Sequence, residues 1–111
     1  MLTKDQYCLE SIIESIDRIF DYTSGFRSAD DFNNDHLKFD ATLMNFVVIG
    51  EMAGKLSEDF KNGISDIDWV KIKGFRNIIA HDYFGIDAEE VWQIIKNKLP
   101  VLKSEINRLL D

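Results

Sequence analysis

Apolar residues recur at three- and four-residue spacing along nearly the whole chain, the period of amphipathic helices. No stretch alternates at period two, as a half-buried strand would. Leu9, Ile12, Ile13, Ile16, Ile19 and Phe20 form the first stripe, which predicts a helix starting near Thr3 or Lys4 with Asp17 and Arg18 on its outer side. Thr23-Ser24-Gly25 is expected to end it, the glycine acting as breaker. Ser28 is placed to cap a short turn through Asp31 and Phe32, and Asn33-Asn34-Asp35 to interrupt that turn and cap a longer helix. The longer helix carries Leu37, Met44, Val47, Val48, Met52 and Leu56 and is expected to run to about Phe60. It is apolar over much of its girth between Leu43 and Ala53, which predicts the central and most buried element.

Beyond Lys61-Asn62-Gly63, Asp66 or Asp68 can cap a helix beginning around Trp69, with Gly74 as a candidate kink before it continues to Asp82. Tyr83-Phe84-Gly85 reads as a turn. Asp87 with Glu90 three residues on is a capping-box arrangement for a helix whose apolar side is Val91, Trp92, Ile94, Ile95 and Leu99. Pro100 suits the first turn of a last helix carrying Leu102, Ile106, Leu109 and Leu110. These elements predict an all-α fold, an up-and-down bundle of four to five helices, with residues 1–111 as one domain.

A chain of 111 residues with 45% hydrophobic content can bury a core, and a domain this small gains from dimerisation. The single cysteine, Cys8, rules out an internal disulfide, fits a reducing cytoplasm, and reads as packing rather than as a nucleophile. No signal pattern opens the chain, and no apolar run approaches the roughly 20 residues that span a bilayer, so a soluble cytoplasmic protein is expected.

The net charge of −7 counts against coating nucleic acid by bulk electrostatics. Two windows nevertheless lack acidic residues: Trp69 to His81, with Lys71, Lys73 and Arg76, and Val91 to Ser104, with Lys96, Lys98 and Lys103. They are either local basic patches, in which case Lys71 and Lys73 are candidate RNA contacts, or accidents of spacing. Gly50-Glu51-Met52-Ala53-Gly54-Lys55 is not a phosphate-binding loop. Its glycines are one residue too close, Leu56 stands where a Ser or Thr should bind magnesium, and no strand precedes it. The glycines read instead as places where a neighbouring helix comes close. His36 and His81 have no second His or Cys at ligand spacing, so no metal site is expected and no cofactor is implied.

The octet Arg76-Asn77-Ile78-Ile79-Ala80-His81-Asp82-Tyr83 carries the densest chemistry. On a helix, Asn77 and His81 share a face, Arg76 sits one step around, Tyr83 follows the terminus, and Ile78 and Ile79 are expected to anchor the segment inward. Arginine offers a planar donor fork to phosphate oxygens, histidine moves a proton near neutral pH, and asparagine orients a hydroxyl or phosphate oxygen. None of these needs a metal. Together they suit cleavage of RNA by attack of the 2′-hydroxyl on its own phosphate. The plainer alternative is that Arg76 pairs with a surface acid, His81 sits on the helix dipole, and Tyr83 merely packs.

The octet resembles the R-x4-H-x-Y signature of the HepT-like toxins of the HEPN superfamily (also DUF86). Ile49-Gly50-Glu51, Trp69 with Lys71 and Ile72, Phe84-Gly85-Ile86-Asp87 and Leu99-Pro100 agree with its surroundings. The resemblance implies a HEPN-type bundle forming a two-fold dimer with the two motifs facing across a cleft. It implies a metal-independent endoribonuclease with Arg76 and His81 as the catalytic pair and Asn77 as the supporting polar residue. It also implies that Tyr83 accepts AMP from an MntA-type nucleotidyltransferase antitoxin, with which the dimer can form a larger assembly. The rival from another class is a non-catalytic helical dimer, a nucleotide- or partner-binding subunit of a nucleotidyltransferase in which Arg76 only anchors phosphate.

Overall fold

The computed structural model describes all residues from Met1 to Asp111. Seven α-helices follow one another: α1 (Thr3–Thr23), α2 (Ala29–Asn34), α3 (His36–Lys55), α4 (Glu58–Asn62), α5 (Trp69–His81), α6 (Ala88–Asn97) and α7 (Leu99–Leu110), with a 3-10 turn at Tyr83–Gly85 between α5 and α6. Five are substantial, as the periodicity predicts, and α2 and α4 are single-turn connectors. α3 lies between α1 and α5; α7 closes on α1, and α2 on α6. No helix is long and apolar enough to cross a membrane.

The stripe of α1 is the floor of the core. Leu9, Ile12, Ile16 and Ile19 are completely buried, with Cys8 among them. Burial raises the Cys8 thiol pKa, so the residue behaves as a small apolar group. Leu43, Phe46, Ile49 and Ala53 of α3 and Ile106 of α7 belong to the same core. Phe32, expected only on a short turn, is a full core residue. Its ring centroid lies 4.9 Å from that of Phe39 and 6.1 Å from that of Trp92, which fastens α2 to α3 and α6.

The helix ends follow local hydrogen bonds. Ser28, Asp35, Ser57, Asp68 and Asp87 each accept a backbone N–H of the helix they precede. Of the two candidate caps for α5, Asp68 is therefore the one used. α1 does not end on a left-handed glycine: no glycine has positive φ. Its last turn is closed by Thr23 Oγ1 donating to Ile19 O and Ser24 Oγ donating to Asp21 O. α5 runs unbroken through Gly74.

α3 stops at Lys55 rather than near Phe60, and the cause lies in another helix. Asp5, buried on α1, accepts the Ser57 N–H and the Ser57 hydroxyl, each at 2.8 Å. Those bonds hold Ser57 in extended backbone, where its hydroxyl oxygen caps α4. α3 is central but not buried all round. Leu37 is 81% and Met44 62% exposed, and they share a face, being seven residues apart.

The Ser57 backbone bond holds the Asp5 carboxyl below its ordinary pKa; burial opposes this, and the Ser57 hydroxyl and the Lys4 charge add to it. A carboxyl lowered in the folded state stabilises above its unfolded pKa, and that contribution is lost as pH falls through the folded value. Asp5→Asn should therefore unfold at lower urea than the parent at about pH 7, with the gap narrowing towards about pH 3. Equal midpoints at neutral pH would remove the Asp5–Ser57 tie as a determinant of where α3 ends.

Candidate functional site

α5 begins at the Asp68 cap and presents its inner side to α3. Phe75 packs edge-on against Phe46 with ring centroids 5.1 Å apart, and Ile79 is buried one turn later. Arg76 crosses α3 at Gly50. A β-carbon added to Gly50 would lie 2.7 Å from Arg76 Cγ and closer still to Arg76 Cβ, so only a glycine admits α5 at this depth. Gly54 has nothing near it and plays no such part.

The crossing fixes the arginine head. Arg76 Nη2 donates to Glu51 Oε1 in a close ion pair, and Arg76 Nη1 donates to Asn77 Oδ1 at 3.1 Å. Arg76 Nε is buried without a partner, while the side chain as a whole is 32% exposed. The inner part of the guanidinium is thus enclosed and its outer end faces solvent. Arg76 does pair with an acid, Glu51, next to the glycine that admits the arginine, and that pairing leaves the outer end of the guanidinium available.

His81 is the last residue of α5 and is exposed. Asn77 lies one turn before it on the same face, so Asn77 links the pinned arginine to the side of the helix that carries the imidazole. Arg76 and His81 themselves emerge about 140° apart around the helix. Ile78 does not anchor inward: it is 55% exposed, and Ile79 alone is buried. Lys71 and Lys73 also separate. Lys73 lies three residues before Arg76 and four before Asn77, along their side of the helix. Lys71 lines an apolar groove of about 490 Å³ between α5 and the α6–α7 junction, together with Ile72, Phe75, Lys98, Leu99 and Leu102.

Tyr83 opens the 3-10 turn that follows α5, and its hydroxyl donates to Asp40 Oδ1 of α3. Removal from water first, then the hydrogen bond and negative charge of Asp40, push the phenol up to about 12. Sequence reasoning missed both Asp40 and the bridging role of Glu51. They stand eleven residues apart on one face of α3, and spacing within α5 carries no trace of them. Glu51 had a signal, since it follows a helical glycine that needs a neighbour; Asp40 had none.

The model of the family described as "Ribonuclease HepT-like" matches residues 12–109. The chain belongs to the HepT-like family. Its relatives include the "Probable ribonuclease HepT" of Thermococcus cleftensis, 31% identical over 101 residues, 91% of each chain. A Methanocaldococcus jannaschii protein named "Putative RNase" is 31% identical over 98 residues, 88% of this chain and 89% of its own. A longer protein of that organism, named "Gamma-glutamylcyclotransferase and putative RNase", is 32% identical over 93% of this chain, which spans only 46% of it. No solved structure matches the chain significantly. In this HepT-like chain the family signature therefore maps onto a helix crossing, an arginine pinned by Glu51 and Asn77, and a tyrosine tied to Asp40.

The tyrosine contact is open to a direct check. A phenolate absorbance titration should show one late-ionising tyrosine near pH 12 that is missing in Tyr83→Phe and moves to lower pH in Asp40→Asn. An unchanged titration curve in Asp40→Asn would mean that the two groups do not interact.

Proposed function

We propose that this chain is a metal-independent endoribonuclease, the toxin half of a toxin–antitoxin pair, acting in the cytoplasm. The observation that carries the reading is Arg76, a guanidinium held at a helix crossing with its outer end open, on the helix that presents His81. Arg76 receives the scissile phosphate and stabilises the charge that develops on it. His81 moves the proton of the attacking 2′-hydroxyl, and Asn77 keeps the guanidinium aligned between them. Lys73, on the same side of α5, takes a neighbouring phosphate; Lys71 is turned towards the groove and has a weaker claim. No step needs a cofactor.

The active form is a two-fold dimer. Leu37 and Met44 on α3, Ile78 on α5 and the fully exposed Phe84 leave apolar surface beside the site. Such surface favours association, and a symmetric pair would bring two copies of the motif together. Control falls on Tyr83, which accepts a nucleotidyl group from an MntA-like nucleotidyltransferase. The phenol oxygen attacks the α-phosphorus of the nucleotide, pyrophosphate leaves, and Asp40 is placed to take the phenol proton. The added phosphate and base then exclude RNA from the cleft.

Purified protein in chelator should cleave single-stranded RNA and leave a 2′,3′-cyclic phosphate. His81→Ala and Arg76→Ala should each lose about a hundredfold or more in rate. Cutting of the 2′-deoxy analogue at a similar rate would sink the mechanism. Full cleavage by His81→Ala would favour the rival reading, in which the dimer only binds a nucleotide or its partner.

Neutralisation has its own readout. When the nucleotidyltransferase is co-expressed, Tyr83→Phe should remain growth-inhibitory while the parent is silenced and gains the mass of AMP. Silencing of Tyr83→Phe would move control elsewhere.

A further inference from the structure

The proposed chemistry leaves Glu51 unused, although its carboxylate touches the one arginine the chemistry needs. A negative group beside a phosphate-binding guanidinium is costly for a site that must attract RNA. It is not incidental here, because Gly50 brings Arg76 against α3 at this point and Glu51 is the next residue. The pair is not buried either: Glu51 is 43% and Arg76 32% exposed, so the carboxylate and the arriving phosphate share one solvent-facing edge. With Glu51 on Nη2 and Asn77 on Nη1, each terminal nitrogen keeps a second N–H for a phosphate oxygen.

We propose that Glu51 is the positioning residue of Arg76: it holds the guanidinium in register for the charge that develops on phosphorus, while its own negative charge weakens the hold on bound RNA. The inference rests on Arg76 being the phosphate-binding group of the reading above. A phosphodiester carries one negative charge, and the pentacoordinate state formed by 2′-hydroxyl attack carries more. A carboxylate on the guanidinium weakens its attraction for both states, so the charge of Glu51 costs affinity, and what Glu51 contributes to kcat is the fixed orientation of the donor fork. The two ties also keep the donor fork from swinging, so it is in place before the charge develops.

The test separates kcat from KM. Glu51→Gln keeps the side-chain shape and an acceptor oxygen but removes the charge. It should lower kcat about tenfold, through the less ordered guanidinium, and lower KM about threefold, through the unopposed positive charge. Glu51→Asp keeps the charge and should recover part of kcat. If Glu51 only stabilises the helix crossing, both variants will melt earlier and show parental kcat and KM per folded molecule, which overturns the proposal.

A binding arm does not depend on cleavage. The all-2′-deoxy form of a short single-stranded oligonucleotide should bind Glu51→Gln about threefold more tightly than the parent, and that gain should vanish in an Arg76→Ala background. No gain, or a gain that survives loss of Arg76, overturns the role of Glu51. A parent that cleaves nothing would refute the ribonuclease reading instead, leaving this arm to decide on Glu51.

Discussion

The structure turns on the depth at which α5 meets α3. Gly50 has no side chain, so the Cβ and Cγ of Arg76 occupy space that any other residue would fill. Among the other helices, α5 leans chiefly on α3, and the edge-on contact of Phe46 with Phe75 and the burial of Ile49 and Ile79 continue the seam on either side of the crossing. A helix held along one seam keeps its register only if that seam is tight. The register decides which way Arg76, Asn77 and His81 point, so one absent methyl group on α3 governs the geometry of a motif on α5.

α3 then holds that motif with two carboxylates. Glu51 takes the arginine, and Asp40, about 16 Å earlier along the helix axis, takes the tyrosine that follows α5. Both ends of the octet are thus tied to the same rod, while His81 between them stays open to solvent. This arrangement also bears on the acidic total of the chain. Glu51 and Asp40 each hold a partner in the octet, Asp82 is the one acid within it, and the stretch from Trp69 to His81 carries no acidic group. The proposed phosphate site is compatible with a net charge of −7 because screening cuts off distant charges within about one Debye length.

How much of this could be read from the chain depends on where the deciding partner lies. Helix existence was legible because the stripe of Leu9, Ile12, Ile16 and Ile19 and the caps Ser28, Asp35, Asp68 and Asp87 are local signals. The end of α3 was not, since Ser57 is taken by Asp5 from the far end of the sequence. Phe32 looked like a turn residue because its aromatic neighbours come from three other segments. Within the octet, the polar residues were legible as chemistry, but Ile78 was assigned inward on its apolarity, and helical phase puts it outside once Phe75 and Ile79 face the core. Asp40 and Glu51 lie outside the motif and acquire their roles only through packing.

Helical phase also bears on how many copies the proposed chemistry needs. Five helical steps lead from Arg76 to His81, which turns them about 140° apart. The arginine is drawn further towards α3 by Glu51, while the imidazole stands at the exposed end of α5. A phosphate resting on the open end of that guanidinium therefore meets it from one side, with the imidazole of the same copy set off around the helix. In the proposed dimer, a second copy facing the first would supply an imidazole from across the gap without disturbing the crossing at Gly50. The exposed Met44 and Ile78 lie on the two helices such a copy would cover, so the apolar surface that favours association belongs to the same helices as the incomplete half-site.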